Sequence, residues 1–191
     1  IFNGDPMTCN MKKLMLPDFF QASEVPIVHK FYRNYFKDCY VCGDVDYIFG
    51  PNTAFFDHCE IHSIARVSEG KAYITAASTP AGQEFGLVFS HCRITGEEPD
   101  SVYLGRPWRD CAKTAFICCE LGDHICPEGW QNWGKVRAEV LSDYIEYGNF
   151  GPGADCSGRS PLSRCLVNPE VETYFSKENV LVGEDGWIPA E

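Results

Sequence analysis

The chain has 191 residues, 45% hydrophobic and 14% aromatic, a composition that supports a continuous core and excludes disorder. A net charge of -11 with no basic block excludes a nucleic-acid backbone or an anionic membrane surface as a natural partner, and no apolar run approaches the roughly 18 residues of a membrane span. Residues 1–30 do not read as the basic start and unbroken apolar centre of a signal peptide, so this stretch gives no address and the localisation is left open.

In chain order, residues 1–30 show no clean period and are interrupted by Pro6, Pro17 and Pro26; they read as an irregular N-terminal segment or cap. Residues 31–191 read as one repetitive domain. A motif of aromatic, two residues, Cys, one residue, aliphatic recurs four times: Phe36 to Val41, Phe56 to Ile61, Phe89 to Ile94 and Phe116 to Leu121. Repeats of this size predict a solenoid. Alternating apolar residues and β-branched or aromatic types make each rung a strand. A second strand is predicted in each coil, at Val45 to Phe49, Ala72 to Ala76 and Val102 to Leu104, flanked by turn residues. The fold expected is an all-β parallel β-helix.

Cys39, Cys59, Cys92 and Cys119 occupy one position of successive repeats and are expected to stack inside as a column along one sheet. Neighbouring strands lie about 4.8 Å apart, a spacing that suits either bridges or a ladder of small reduced side chains, and the reduced ladder is preferred. No metal is expected, because the single Cys39-Tyr-Val-Cys42 pair and five scattered histidines do not supply zinc-binding spacing.

The stretch Gly43 to Gly50 sets Asp44 and Asp46 within an otherwise buried strand. Residues i and i+2 of a strand share a face, so both carboxylates are expected to point outward. Arg106 belongs two coils on and is placed to reach Asp46 with a bidentate guanidinium. Trp108, Trp130 and Trp133 sit in turns marked by Gly or Pro and offer flat apolar faces suited to sugar rings. Trp108 and Trp130 are expected to wall a groove.

Five stretches together resemble the pectinesterases (pectin methylesterases): Gly43 to Gly50, Tyr103-Leu-Gly-Arg-Pro-Trp108, Gly129-Trp130 with Trp133, Tyr147-Gly-Asn-Phe-Gly-Pro-Gly-Ala154, and Val180 to Pro189. The resemblance implies a right-handed parallel β-helix, truncated here at its N-terminal end, that hydrolyses galacturonate methyl esters of pectin without metal or cofactor. It places the nucleophile at Asp46, oriented by Arg106. It places sugar-contacting aromatics at Phe49, the expected floor of the groove, and at Trp108, Trp130 and Trp133, and groove-lining small residues at Val45 and Ala76. One departure stands out. The family's Gln-Asp pair, which supplies an oxyanion donor and the acid, falls at Val25, within Ser23-Glu24-Val25-Pro26. Truncation, a shifted acid at Glu24, or a pectin-binding β-helix without turnover each accommodate this. The missing earlier coils also predict an open N-terminal strand edge available for self-association.

Overall fold

The computed structural model describes residues 14–15, 32–66, 69–183, 185–187 and 189. The chain winds as a right-handed parallel β-helix. After β1 (Leu14–Met15), one coil comprises β2 (Arg33–Lys37), β3 (Tyr40–Gly43) and β4 (Val45–Gly50). The next comprises β5 (Thr53–Asp57), β6 (Glu60–Ser63) and β7 (Ala72–Ala77), and the third β8 (Leu87–Ser90), β9 (Arg93–Gly96) and β10 (Val102–Gly105). β11 (Lys113–Ile117) and β12 (Glu120–Leu121) begin a fourth. Then follow α1 (Ala138–Leu141), β13 (Asp143–Tyr147), β14 (Ser163–Leu166), α2 (Glu170–Tyr174) and α3 (Lys177–Leu181). The strands form three parallel sheets in the orders β14-β13-β11-β8-β5-β2, β12-β9-β6-β3 and β1-β4-β7-β10.

The expected second strands occur as β4, β7 and β10. The recurring aromatic–Cys rung, however, is a corner between two strands rather than one continuous strand. Asp38, His58, His91 and Cys118 each take a left-handed backbone, with φ of 53°, 51°, 53° and 53°. Asp and His tolerate this region better than most side chains, and the turn swings the chain from the first sheet into the second. The inter-coil ladder continues through it: His58 N–H donates to Ser90 C=O, and Arg93 N–H to Cys59 C=O.

The cysteine column therefore stands at the corner, not within a sheet. Cys59, Cys92 and Cys119 are buried and unbridged, with Cys39 half-buried at the end of the row. Cys92 Sγ lies 3.3 Å from the Phe56 carbonyl of the preceding coil, and Cys119 Sγ 3.5 Å from that of Phe89. The one disulfide among the described residues joins Cys156 to Cys165.

Beside the thiols runs a stack of rings, Phe36 on Phe56 on Phe89 on Phe116, with centroids 4.7, 4.6 and 4.5 Å apart. In-register pairing of identical residues places like on like at the strand spacing, which favours offset stacking. On the outer face of the six-stranded sheet, Val171 of α2, Phe175 just past its end, and Val180 and Leu181 of α3 cover Tyr35, Phe55, Val88, Ala115 and Ile145. The sheet containing β4, β7 and β10 carries the candidate site. The irregular segment expected over residues 1–30, with Glu24 and Val25, lies outside the described residues apart from Leu14–Met15, which pair with Ile48 and Phe49.

Candidate active site

Asp46 owes its position to a break in strand pairing. β4 and β7 align Val45 with Tyr73 and Ile48 with Thr75, so Asp46 and Tyr47 together oppose one residue of β7. Asp46 has φ 50°, a left-handed conformation that accommodates the extra residue. A bulge of this kind re-aims a side chain. The strict alternation expected for Asp44 and Asp46 is thus not what projects Asp46: Tyr47 and Ile48 are adjacent yet both fully buried. Tyr47 turns inward to hydrogen-bond Ser63 Oγ at 3.0 Å. It has room because residue 43 is glycine; a Cβ there would stand 2.4 Å from Tyr47 Cβ. Asp44 instead accepts from the Val45 N–H at 2.8 Å, closing the turn into β4.

Arg106 follows β10, two coils away. Its backbone N–H donates to Thr75 C=O at 3.0 Å, continuing the ladder past the strand end. The preceding Gly105 leaves space for Thr75, whose Oγ1 would be 2.1 Å from a Cβ at 105. From there Arg106 Nε donates to Asp46 Oδ1 at 2.9 Å and Nη2 to Oδ2 at 2.6 Å. Both side chains are 16% exposed. The guanidinium is also sandwiched, with Cζ 3.8 Å from the ring centroids of both Tyr73 and Trp133. Stacking on two faces and chelation in the plane leave the guanidinium little freedom, so the carboxylate it holds is fixed in orientation.

Asp46, Phe49, Ala76, Trp108 and Trp133 line an open cavity of about 150 Å³. Phe49 and Trp108 meet at 5.5 Å and make its apolar flank. Trp133 is 37% exposed, held on a left-handed turn (φ 56°). Two residues expected in the groove, Trp130 as a wall and Val45 as a small lining residue, do not line the cavity. Trp130 is 2% exposed and belongs to the core: it stacks on Tyr144 at 4.3 Å, and its Nε1–H donates to Glu146 Oε1 at 2.9 Å. The indole is drawn inward because the buried carboxylate satisfies its only polar atom. Val45 is half-buried beside the bulge and does not line the cavity.

The sequence reading missed three neighbours. Tyr73 supports Arg106 from below and is itself stacked on Tyr103 at 5.2 Å. The signal available was the same-phase aromatic in successive coils. Lys135 Nζ donates to the carbonyls of Pro107 and Trp108 at 2.6 and 3.0 Å and lies 4.4 Å from the Trp133 ring. Burial, reinforced by Arg109, lowers its pKa. Arg109, with Cζ 5.7 Å from Trp108, completes a cationic rim. A fixed carboxylate beside exposed aromatic ring faces and nearby cations is an arrangement that can bind an anionic, ring-shaped ligand and offer a nucleophile to an ester.

The family model described as Pectinesterase matches residues 21–184. Pectinesterase 31 of Arabidopsis thaliana is 40% identical over 140 residues, covering 72% of this chain and 43% of that protein. The solved structure of a pectin methylesterase from carrot superimposes with a TM-score of 0.73 at 29% identity, covering 81% of this chain and 52% of that one. A pectin methylesterase in complex with a hexasaccharide gives a TM-score of 0.66 at 28% identity, with 82% and 53% covered. The chain thus spans about half the length of the relatives it matches. Over the greater part of its length, this chain belongs to the pectinesterase family.

Proposed function

We propose that this chain hydrolyses galacturonate methyl esters of pectin through Asp46. The observation that carries the reading is the bidentate hold of Arg106 on Asp46 at the floor of an aromatic-lined cavity. One Asp46 oxygen attacks the ester carbonyl, and collapse of the tetrahedral adduct breaks the ester C–O bond, leaving an acyl-enzyme anhydride and expelling methoxide, which takes a proton from solvent as methanol. Water then attacks the anhydride, giving up its two protons to solvent, freeing the galacturonate carboxylate and restoring the Asp46 carboxylate. Phe49, Trp108 and Trp133 present ring faces to the sugars, Ala76 keeps the floor low, and Arg109 and Lys135 face demethylated, anionic residues. Residues 31–191 act as one pectin-binding unit.

A second reading has its own observation. The position of the family's Gln-Asp pair is occupied by Val25, and Asp46 is the only carboxylate lining the cavity among the described residues. On that reading the chain binds pectin without turnover, unless Glu24 supplies the proton. Loss of a single oxyanion donor costs about 10²- to 10³-fold in rate. Methanol release from highly methylated pectin, measured beside retention of the chain on the same polymer, separates the two. Release supports hydrolysis, retention without release supports the binding module, and neither result overturns both. We also propose that β2 and β3, which end their sheets among the described residues, support self-association. A concentration-independent monomer by light scattering counts against it.

A further inference from the structure

Away from the cavity, the corners of adjacent coils bring together a second set of reactive side chains. We propose that His91, Cys118 and Glu172 form a zinc site that fastens α2 to the solenoid. His91 and Cys118 hold the same left-handed corner position in successive coils, which sets them one strand spacing apart. α2 lies over the same sheet through Val171, and so brings Glu172 to that corner. One ligand atom from each of the three lies within 4.8 Å of the others, and His91 Nε2 stands 3.8 Å from Glu172 Oε1.

Tetrahedral zinc, with bonds of about 2.0–2.3 Å, places its ligand atoms roughly 3.3–3.8 Å apart, so closure needs only a small side-chain movement. The histidine is already oriented for it. Ser90 Oγ lies 2.9 Å from His91 Nδ1, which leaves Nε2 for the metal, and the His58 ring stacks parallel on His91 at 5.1 Å. His58 is anchored in turn by Asp57 Oδ1, 2.6 Å from its Nδ1. Outer partners of this kind fix the ring orientation of metal-bound histidines. At the same corner of the next coil stands Gly148, where a Cβ would come within 3.0 Å of Cys118 Sγ.

The donor set is one imidazole nitrogen, one sulfur and one carboxylate. It suits a borderline divalent ion and not calcium or magnesium, which take oxygen ligands. Binding releases the thiol proton, so thiolate and carboxylate together balance the two charges of the ion, and water takes the fourth position. The ligands come from three separate elements, and for that reason no local sequence motif announces them.

The test uses the whole chain with cobalt(II) chloride as a spectroscopic substitute and zinc chloride as competitor. The expected result is a thiolate-to-cobalt absorption band at one equivalent, displaced by zinc, and a melting temperature raised by zinc. Cys118→Ser removes the band and the thermal shift, Glu172→Gln weakens binding, and Ser90→Ala weakens it by about 10-fold. Circular dichroism checks that each variant is folded, and the exposed Glu172 gives a variant that does not disturb the core. The proposal is overturned if wild type and Cys118→Ser give the same cobalt band, which would assign binding to another thiol, or if wild type gives none. Methanol release plays no part in the readout, so the outcome is independent of the esterase reading.

Discussion

Arg106 holds both oxygens of Asp46 from two coils away while its own plane is clamped between Tyr73 and Trp133. Two faces and one edge of the guanidinium are thereby occupied. Arg106→Lys keeps the charge but loses both the fork and the flat stacking surface. The expected effect is a fall of about 10²-fold in the rate of methanol release, of the size that follows from a misplaced reacting group. Trp133→Ala removes one face of the clamp and a ring face proposed to carry sugar, so both KM and kcat for methanol release should worsen. A Trp133→Ala enzyme with unchanged kinetics contradicts the clamp.

Glu146 and Arg159 form an ion pair whose side chains are 2% and 4% exposed, with Nε to Oε1 at 2.9 Å and Nη2 to Oε2 at 3.0 Å. Glu146 occupies the register position next to Phe116, at the end of the ring stack, and also accepts from Trp130. Glu146→Leu leaves a buried guanidinium unpaired and is expected to cost about 3–5 kcal/mol in chemical denaturation. Adding Arg159→Met should recover a large part, because it removes the stranded charge. A double variant no better than the single one contradicts this.

His124 is buried, its ring packed against Gly96 and Gly122, and neither ring nitrogen has a hydrogen-bond partner. Burial lowers its pKa from 6.5 to about 4, opposed by Asp123 and assisted by His62. The folded state keeps the ring neutral where the unfolded chain takes up a proton. Its contribution is complete above pH 6.5 and is lost as pH falls toward 4, by at most about 3 kcal/mol. His124→Leu should flatten the dependence of unfolding free energy on pH over that window. An unchanged slope in the variant would assign the dependence to other groups.

The thiol column should be chemically silent in the folded protein. Burial pushes Cys92 well up, and the neighbouring Cys92 thiol together with burial does the same to Cys59; Cys39, half-buried, is raised to about 11. Alkylation of the native chain, mapped by mass spectrometry, is expected to leave Cys59, Cys92 and Cys119 unmodified while half-buried thiols such as Cys42 and Cys111 react. Fast labelling of Cys92 without denaturant contradicts the buried column.

The first four rungs, the second strands and the Asp46–Arg106 meeting were legible because in-register repetition puts like residues at like positions, whereas β13 and β14, which extend the longest sheet to six strands, carry no copy of the motif. Two features were not. The aromatic–Cys rung reads as alternating strand, yet a left-handed residue at Asp38, His58, His91 and Cys118 makes it a corner, and a backbone angle leaves no mark in hydrophobic periodicity. The Asp46 bulge escaped for the same reason. Trp130 was misplaced because a Gly-Trp turn looks exposed until its partner Glu146, far along the chain, is known to be buried beneath it.

The most direct test of the central claim is methanol release from highly methylated pectin by the wild-type chain and by Asp46→Asn under identical conditions, with circular dichroism to confirm equal folding. The substitution is nearly isosteric and removes only the carboxylate proposed as the nucleophile. The account predicts release by wild type and a loss of about 10⁴-fold or more in the folded variant. Methanol release by Asp46→Asn at the wild-type rate would contradict it.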